Sequence, residues 1–342
     1  MNPIVDRARA RASRLVPMPR VPRMALVLLA VVAVLPLLGN AYLLSVLIKV
    51  GLHAVIAMGL ILLTGLAGQV SLGQGVYYGV GAYVSALLCL RLGISPWLAM
   101  PLAAAASGLL AAPIGRAILR LKGIIVAGVT LTVNLVFFYL VVSVSGLTGG
   151  ATGLSQIPRL PYPKAMPYTA FLFYAVWLLA VLCLILTANI AASRVGRALK
   201  SVNILGGGSE DTAQVLGVDV MHFKVVAYVV AAVFAGVAGS VYAHYTGVIE
   251  PHTFSVQTSV LVAIMVIVGG VTSPWGAIVG SALIVGVTEL LREVAPIVLG
   301  GPTGAYELVA YGVVLVVSLL FLPSGLCSLP VRVDEWRRGR RL

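Results

Sequence analysis

The residues of this sequence that could do chemistry are polar and ionisable side chains set inside long apolar runs. Lys49 and His53 stand four apart within the apolar stretch 42–64, so a helix places both on one face. Charge at membrane depth is expensive and ordinarily faces a bundle interior or water. The pair therefore reads either as lining for a solute or proton path or, if the span is shifted, as a snorkelling lysine beside a histidine. A second set, Gln69, Ser71, Gln74 and Tyr77, lies in Gly65-Leu66-Ala67-Gly68-Gln69-Val70-Ser71-Leu72-Gly73-Gln74-Gly75-Val76-Tyr77-Tyr78-Gly79-Val80-Gly81-Ala82-Tyr83. Glycine this dense invites a broken helix, whose freed backbone groups are tolerated where protein or a water-filled cavity covers them. The same glycines supply small-xxx-small packing, Gly75-xxx-Gly79 among them, and pathway lining and packing are compatible. Glu289 and Glu307 fall in the last two apolar runs, close enough for gating or helix pairing, of which helix pairing is the expected role.

Other chemistries find less support. His244, Glu250 and His252 share one connection, but Pro251 separates two of them and their spacing fits no recognised ligand motif, so no metal site is expected. Cys89, Cys183 and Cys327 are odd in number, far apart and surrounded by apolar residues, which indicates neither a disulfide framework nor a metal knuckle. The sequence contains no H-E-x-x-H, no G-x-S-x-G and no G-x-x-x-x-G-K-[ST]. No catalytic residue is assigned, and ATP has no phosphate loop here to bind.

The elements that must position these residues are membrane helices. Of 342 residues 60% are hydrophobic and 10% charged, and a helix needs roughly 20 apolar residues to cross a hydrocarbon core of about 30 Å. Apolar windows fall near 24–39, 42–64, 70–90, 96–115, 124–145, 169–190, 223–245, 257–271, 275–291 and 305–322. The expectation is an all-α polytopic protein of about ten spans with no large soluble domain. Continuous rather than alternating apolar runs argue against a β-barrel. The domain plan is a basic tail 1–23, a membrane domain 24–322 with an inner loop 193–222 and an outer loop 145–168, and a basic tail 323–342. Arg7 to Arg23 ahead of Met24 to Leu38 resembles a signal peptide, but the long charged region and the run that follows at once favour an uncleaved first span.

Charge then sets sidedness. The formal net charge of +13 comes from Lys and Arg gathered in the tails and two loops, a positive-inside pattern rather than a nucleic-acid surface. With both termini inside, eighteen of the 23 basic residues are cytoplasmic. Within the inner loop, Glu210 to Asp219 is amphipathic: Glu210 and Asp211 complement a helix dipole at its first turn, and Gly217 provides a stop. Ala213, Leu216 and Val220 share one face, suited to a groove on a partner, to the protein's own inner surface or to the membrane interface.

Several stretches together resemble a known family, the permease subunits of branched-chain amino acid ABC transporters of the Liv type, in their M-like branch. Gly65 to Tyr83 is similar to the family's G-x-A-G-Q-x-S-L-G stretch with its later G-x-G-A-Y. Leu119-Arg120-Leu121-Lys122-Gly123 resembles its L-R-L-[RK]-G, and Thr148-Gly149-Gly150-Ala151-Thr152-Gly153-Leu154 its T-G-G-x-x-G-L. Ser193-Arg194-Val195-Gly196-Arg197-Ala198-Leu199 and Leu216-Gly217-Val218 resemble the two ends of its inner loop. Ala238-Gly239-Ser240-Val241-Tyr242-Ala243-His244-Tyr245 and Val268-Gly269-Gly270 through Gly280 follow in order. Departures are the glycine-rich 201–209 run, Lys49, and Pro251-His252-Thr253-Phe254 in place of P-x-S-F.

The resemblance implies a bacterial inner-membrane importer subunit for branched-chain or related small amino acids. Its implied partners are a second permease, two cytoplasmic ATPase subunits that carry the ATP and Mg, and an extracytoplasmic binding protein. It implies that the inner loop couples to an ATPase through Arg194, Gly196, Arg197, Glu210, Asp211, Leu216 and Gly217. An ion-gradient-driven carrier, with Lys49, His53 and Glu289 handling protons, is the alternative from another class.

Overall fold

The computed structural model of the chain describes residues 40–328 apart from 122, 165, 204–209, 216, 218, 299–302 and 323–324. The expected first span and N-terminal tail, and most of the C-terminal tail, lie outside the described residues. Helix α1 (Ala41–Ile61) starts where the Asn40 carboxamide accepts the amides of Tyr42 and Leu43, at 3.1 and 3.3 Å, satisfying donors that every helix start leaves orphaned. It ends in a π-turn, Leu62–Leu66. Helix α2 (Gln74–Leu92) stops at left-handed Gly93, and α3 (Pro96–Ile118) opens with proline at its first position. Then come α4 (Ile124–Ser143), the short α5 (Ser145–Thr148), α6 (Tyr168–Ala192), α7 (Arg194–Val202), α8 (Glu210–Val215) and α9 (Val220–Thr246). Helices α10 (Val256–Gly269), α11 (Pro274–Val298) and α12 (Thr303–Phe321) complete the bundle.

Seven of these helices are long and apolar enough to cross a membrane. The expected spans from 42 onward all correspond to helices, with two instructive differences. The α2 span begins at Gln74 rather than 70, because residues 67–73 leave helical geometry after the π-turn. Helix α10 has 14 residues, a rise of about 21 Å, too short to cross alone. Its chain dips into the bundle first. Ile249 pairs with Leu154 at one end of the bundle, and a 3-10 turn, Pro251–Phe254, then carries Phe254 inward against the rings of Tyr78 and Tyr83 at 5.1 and 5.7 Å.

Helix α9 is the central strut, packed on α1, α2 and α3 through backbone approaches that only small residues permit. A Cβ on Gly59 would stand 2.9 Å from the Ala231 backbone, and one on Gly115 would stand 2.7 Å from the Tyr228 ring. On Gly81 it would collide with the Gly236 backbone, and on Gly239 with the Tyr78 carbonyl. Lipid tails are as apolar as leucine, so van der Waals contact at this range is what holds such helices together. The Gly276-xxx-Gly280 pair plays the same part, both glycines lying against the backbone of α10.

Gly81→Ala should therefore force α2 and α9 apart and cost about 1–3 kcal/mol, the usual penalty of overpacking. Gly312→Ala is the control, since a Cβ there meets nothing within 4 Å. A melting temperature in detergent that falls for the first variant and holds for the second is the expected result.

Candidate translocation site

The break between α1 and α2 gathers most of the polar residues singled out by the sequence. After the π-turn the Leu63 carbonyl accepts two amides, from Ala67 at 3.2 Å and Gln69 at 3.0 Å, and Gly68 turns the chain with φ +66°. The Thr64 hydroxyl donates to the Gln69 carbonyl at 3.4 Å. The segment is thus a folded knot and not a loose loop.

Where α2 begins, three elements converge. The Leu72 amide donates to the Thr130 hydroxyl of α4 at 3.0 Å, and the Gly75 amide donates to the Ser259 hydroxyl of α10 at 2.7 Å. Asn134 of α4 donates its Nδ2 to the same Ser259 oxygen at 2.6 Å. A Cβ on Gly75 would stand 2.7 Å from that nitrogen and 2.9 Å from the Phe254 carbonyl, so glycine is what lets the helix start come this close.

Two amides here are incompletely used. Gln74, 1% exposed, has neither side-chain atom hydrogen-bonded, and Asn134, fully buried, leaves its Oδ1 unpaired. Buried amides of this kind call for a partner, whether ordered water or a passing solute. Gln69 and Ser71 are buried in the same segment, and the Ser71 hydroxyl accepts the Gly73 amide at 3.4 Å. Tyr77, one turn into α2, donates its hydroxyl to that of Tyr228 at 3.1 Å, the rings meeting edge to face.

Lys49 and His53 lie elsewhere. Lys49 pairs with Glu289 of α11 at 2.7 Å, and Arg292 reaches Glu289 at 3.8 Å and Glu307 of α12 at 3.1 Å. Tyr42 donates to Glu289 at 3.3 Å and Tyr311 to Glu307 at 3.5 Å. Lys49, Glu289, Arg292 and Glu307 thus tie α1, α11 and α12 together. The His53 Nδ1 donates to the Lys49 carbonyl at 2.8 Å, since a carbonyl only accepts. The expected pairing role of Glu289 and Glu307 agrees with this geometry. Arg292, which completes the cluster, was readable as a charge three residues after Glu289.

On the opposite end of the bundle from the 145–168 loop, α7 occupies sequence that reads as loop. Its signal was present: Val195, Leu199 and Val202 at helical spacing, and Ser193 capping the Gly196 amide. Arg194 and Arg197 are exposed, and Arg197 and Lys200 donate to the Ala192 and Ala191 carbonyls at 3.1 and 3.2 Å. Gly196 is buried against the end of α6, where a side chain would strike the Ile190 carbonyl. Helix α8 spans six residues, beginning at Glu210 and Asp211, with Gly217 following at φ +81°. Ala213 packs with Val202 and Val220, so part of the amphipathic face rests on the protein itself, while Val215 is 87% exposed. Leu216 lies outside the described residues.

Comparison with known proteins names the arrangement. The model of branched-chain amino acid transport system permease components matches residues 42–319. The chain belongs to this family. It is 28% identical over 299 residues to the high-affinity branched-chain amino acid transport system permease protein LivM of Salmonella typhimurium, covering 80% of this chain and 67% of that protein. LivM of Escherichia coli is 29% identical over 302 residues, with the same coverages. LivH of Salmonella typhimurium is 25% identical over 300 residues, 81% of this chain and 92% of LivH. No solved structure matches. The permease is accordingly a multi-pass membrane transport subunit, related to both LivM and LivH, which places it in a transporter of several subunits that includes another permease.

Replacing Lys49 by Met strands the Glu289 carboxylate with Tyr42 and a more distant Arg292. The expected cost is ~1–2 kcal/mol, between the values for exposed and fully buried pairs. Adding Glu289→Gln should recover much of it. Thermal unfolding of the two single variants and the double one measures the coupling, and strictly additive losses would show that the pair is not coupled.

Proposed function

We propose that this permease forms part of the path by which an ATP-driven ABC importer moves branched-chain or related small amino acids. The observation that carries the reading is the polar junction of Gln74 and Ser259, in the first turns of α2 and α10, with Asn134 from the middle of α4, buried in an apolar bundle. A helix start concentrates positive potential and suits the carboxylate of an amino acid, while a carboxamide offers both donor and acceptor to a zwitterion. Gln69, Ser71, Gln74 and Tyr77 line this route, whereas Lys49 and His53, proposed from sequence as further lining, belong to the ionic cluster with α11. Family membership supports the amino acid class.

On the same reading both termini and the 193–222 segment face the cytoplasm, following the distribution of basic residues. The ATP and Mg then sit on two separate ATPase subunits, with an extracytoplasmic binding protein delivering the substrate. Docking uses exposed Arg194 and Arg197, Gly196 beneath them, and the Glu210–Gly217 segment with Leu216. The ion-gradient alternative gains nothing from the geometry, because Lys49 and Glu289 are engaged with each other.

Two experiments test the reading. Gln74→Leu in the assembled complex should cut ATP-driven uptake at least about tenfold, the effect of ~1.4 kcal/mol of lost contact, with co-purification of the partner subunits unchanged. Unaltered uptake would reduce the segment to packing. Val215→Asp should weaken ATPase association without changing the melting temperature of the permease alone; retained association would remove α8 from the docking surface.

A further inference from the structure

At the end of the bundle where α7 lies, the break at residues 65–73 is held by the side chain of Asn203. Asn203, the residue that ends α7, is 7% exposed and directs its carboxamide into the bundle. Its Nδ2 donates to the Gly65 carbonyl at 2.7 Å, one of the backbone oxygens that the π-turn leaves without a helical donor. Its Oδ1 occupies the space beside Gly68, where a Cβ would stand 2.6 Å away. Gly68 has φ +66°, so both its conformation and its neighbour demand glycine. On the other side, a Cβ on Gly65 would strike the Val271 carbonyl in the α10–α11 turn. The knot is held between two fixed walls.

Helix α7 is itself rigidly seated. Arg197 and Lys200 bond the last carbonyls of α6, Leu199 is fully buried, and Val202, next to Asn203, packs on Ala213 of α8 and Val220 of α9. A displacement of α7 or α8 therefore reaches Asn203 with little slack. From Asn203 the path runs by the hydrogen bond to Gly65, and by close contact at Gly68, along the backbone to Leu72 and Gly75, which bond Thr130 and Ser259.

We infer that Asn203 is a positioning residue that links the cytoplasmic α7–α8 segment to the α1–α2 break, so that movement of the first sets the geometry of the second. It touches neither nucleotide nor substrate and acts through the backbone of Gly65 to Ser71. The inference rests on the transport reading above. A side chain that merely filled space would affect the amount of folded protein and every activity in proportion. A link of this kind instead governs how much substrate moves for each ATP consumed.

The test has two arms, each using Asn203→Ala. In the first, hydrogen exchange of the full-length permease in nanodiscs should rise at least tenfold for amides of residues 67–72, with exchange in α9 unchanged. In the second, the complete transporter in proteoliposomes should move at least fivefold less amino acid per ATP hydrolysed, while the ATPase subunits remain bound. Gly68→Ala, which displaces the Asn203 oxygen, should reproduce both effects. Unchanged local exchange overturns the grip of Asn203 on the break. Raised exchange with an unchanged ratio, or uptake and hydrolysis falling in parallel, overturns the link to transport. Wild-type protein that shows no ATP-driven uptake with its partners overturns the proposed function instead, and the exchange arm still judges the contact.

Discussion

Hydrocarbon offers no hydrogen bonds, so every backbone amide and carbonyl that leaves a helix inside the membrane must be matched by protein or enclosed water. This constraint organises the structure around the interruption between α1 and α2. The Leu63 carbonyl takes two donors, Asn203 serves Gly65, Thr130 serves Leu72 and Ser259 serves Gly75. Each of those partners comes from a different part of the chain. A helix could end there only because α4, α7 and α10 had side chains waiting, and once they are in place the helices themselves are fixed relative to one another.

The same constraint explains why glycine is concentrated where it is. Small residues on α1, α2, α3 and α9 bring backbones close enough for dispersion forces to replace the missing hydrophobic drive. In the break, glycine does something different: at Gly68 it permits a left-handed turn, and at Gly75 it admits Asn134 and the Phe254 carbonyl to the start of α2. One residue type thus serves both packing and the polar junction, which is why the two readings of the glycine-rich stretch do not exclude each other.

Much of the fold was legible in sequence because length and hydropathy decide membrane helices almost alone. The spans from 42 onward and the two long connections follow from apolar windows and turn residues. What escaped was set by tertiary contact. The short α10 looks like an ordinary span until Phe254 is seen to dip against Tyr78 and Tyr83. Gln69, Ser71, Gln74 and Tyr77 stood out as polar groups among glycines, whereas Thr130 and Asn134, one turn apart on α4, and Ser259, at the start of α10, are distant in sequence and meet only in the folded bundle. Lys49 was conspicuous, but its partner lies 240 positions away, beyond the reach of any local pattern. Asn203 lies within the glycine-rich 201–209 run, whose composition gives no sign that one of its side chains reaches Gly65.

That separation has a consequence for how the protein is made. Ribosomes add roughly 5–20 residues per second, so the 240 residues between Lys49 and Glu289 leave the lysine without its carboxylate for about 10–50 s. During that interval α1 is already in the translocon or the lipid, and a lysine near a span's centre raises its insertion cost by ~3 kcal/mol. The cost is offset by the leucines, isoleucines and valines of α1, most of which are buried in the finished bundle. Their hydrophobicity is needed twice: early, to keep a lone cation in the membrane, and later, to pack against the helices that arrive with its counter-ion.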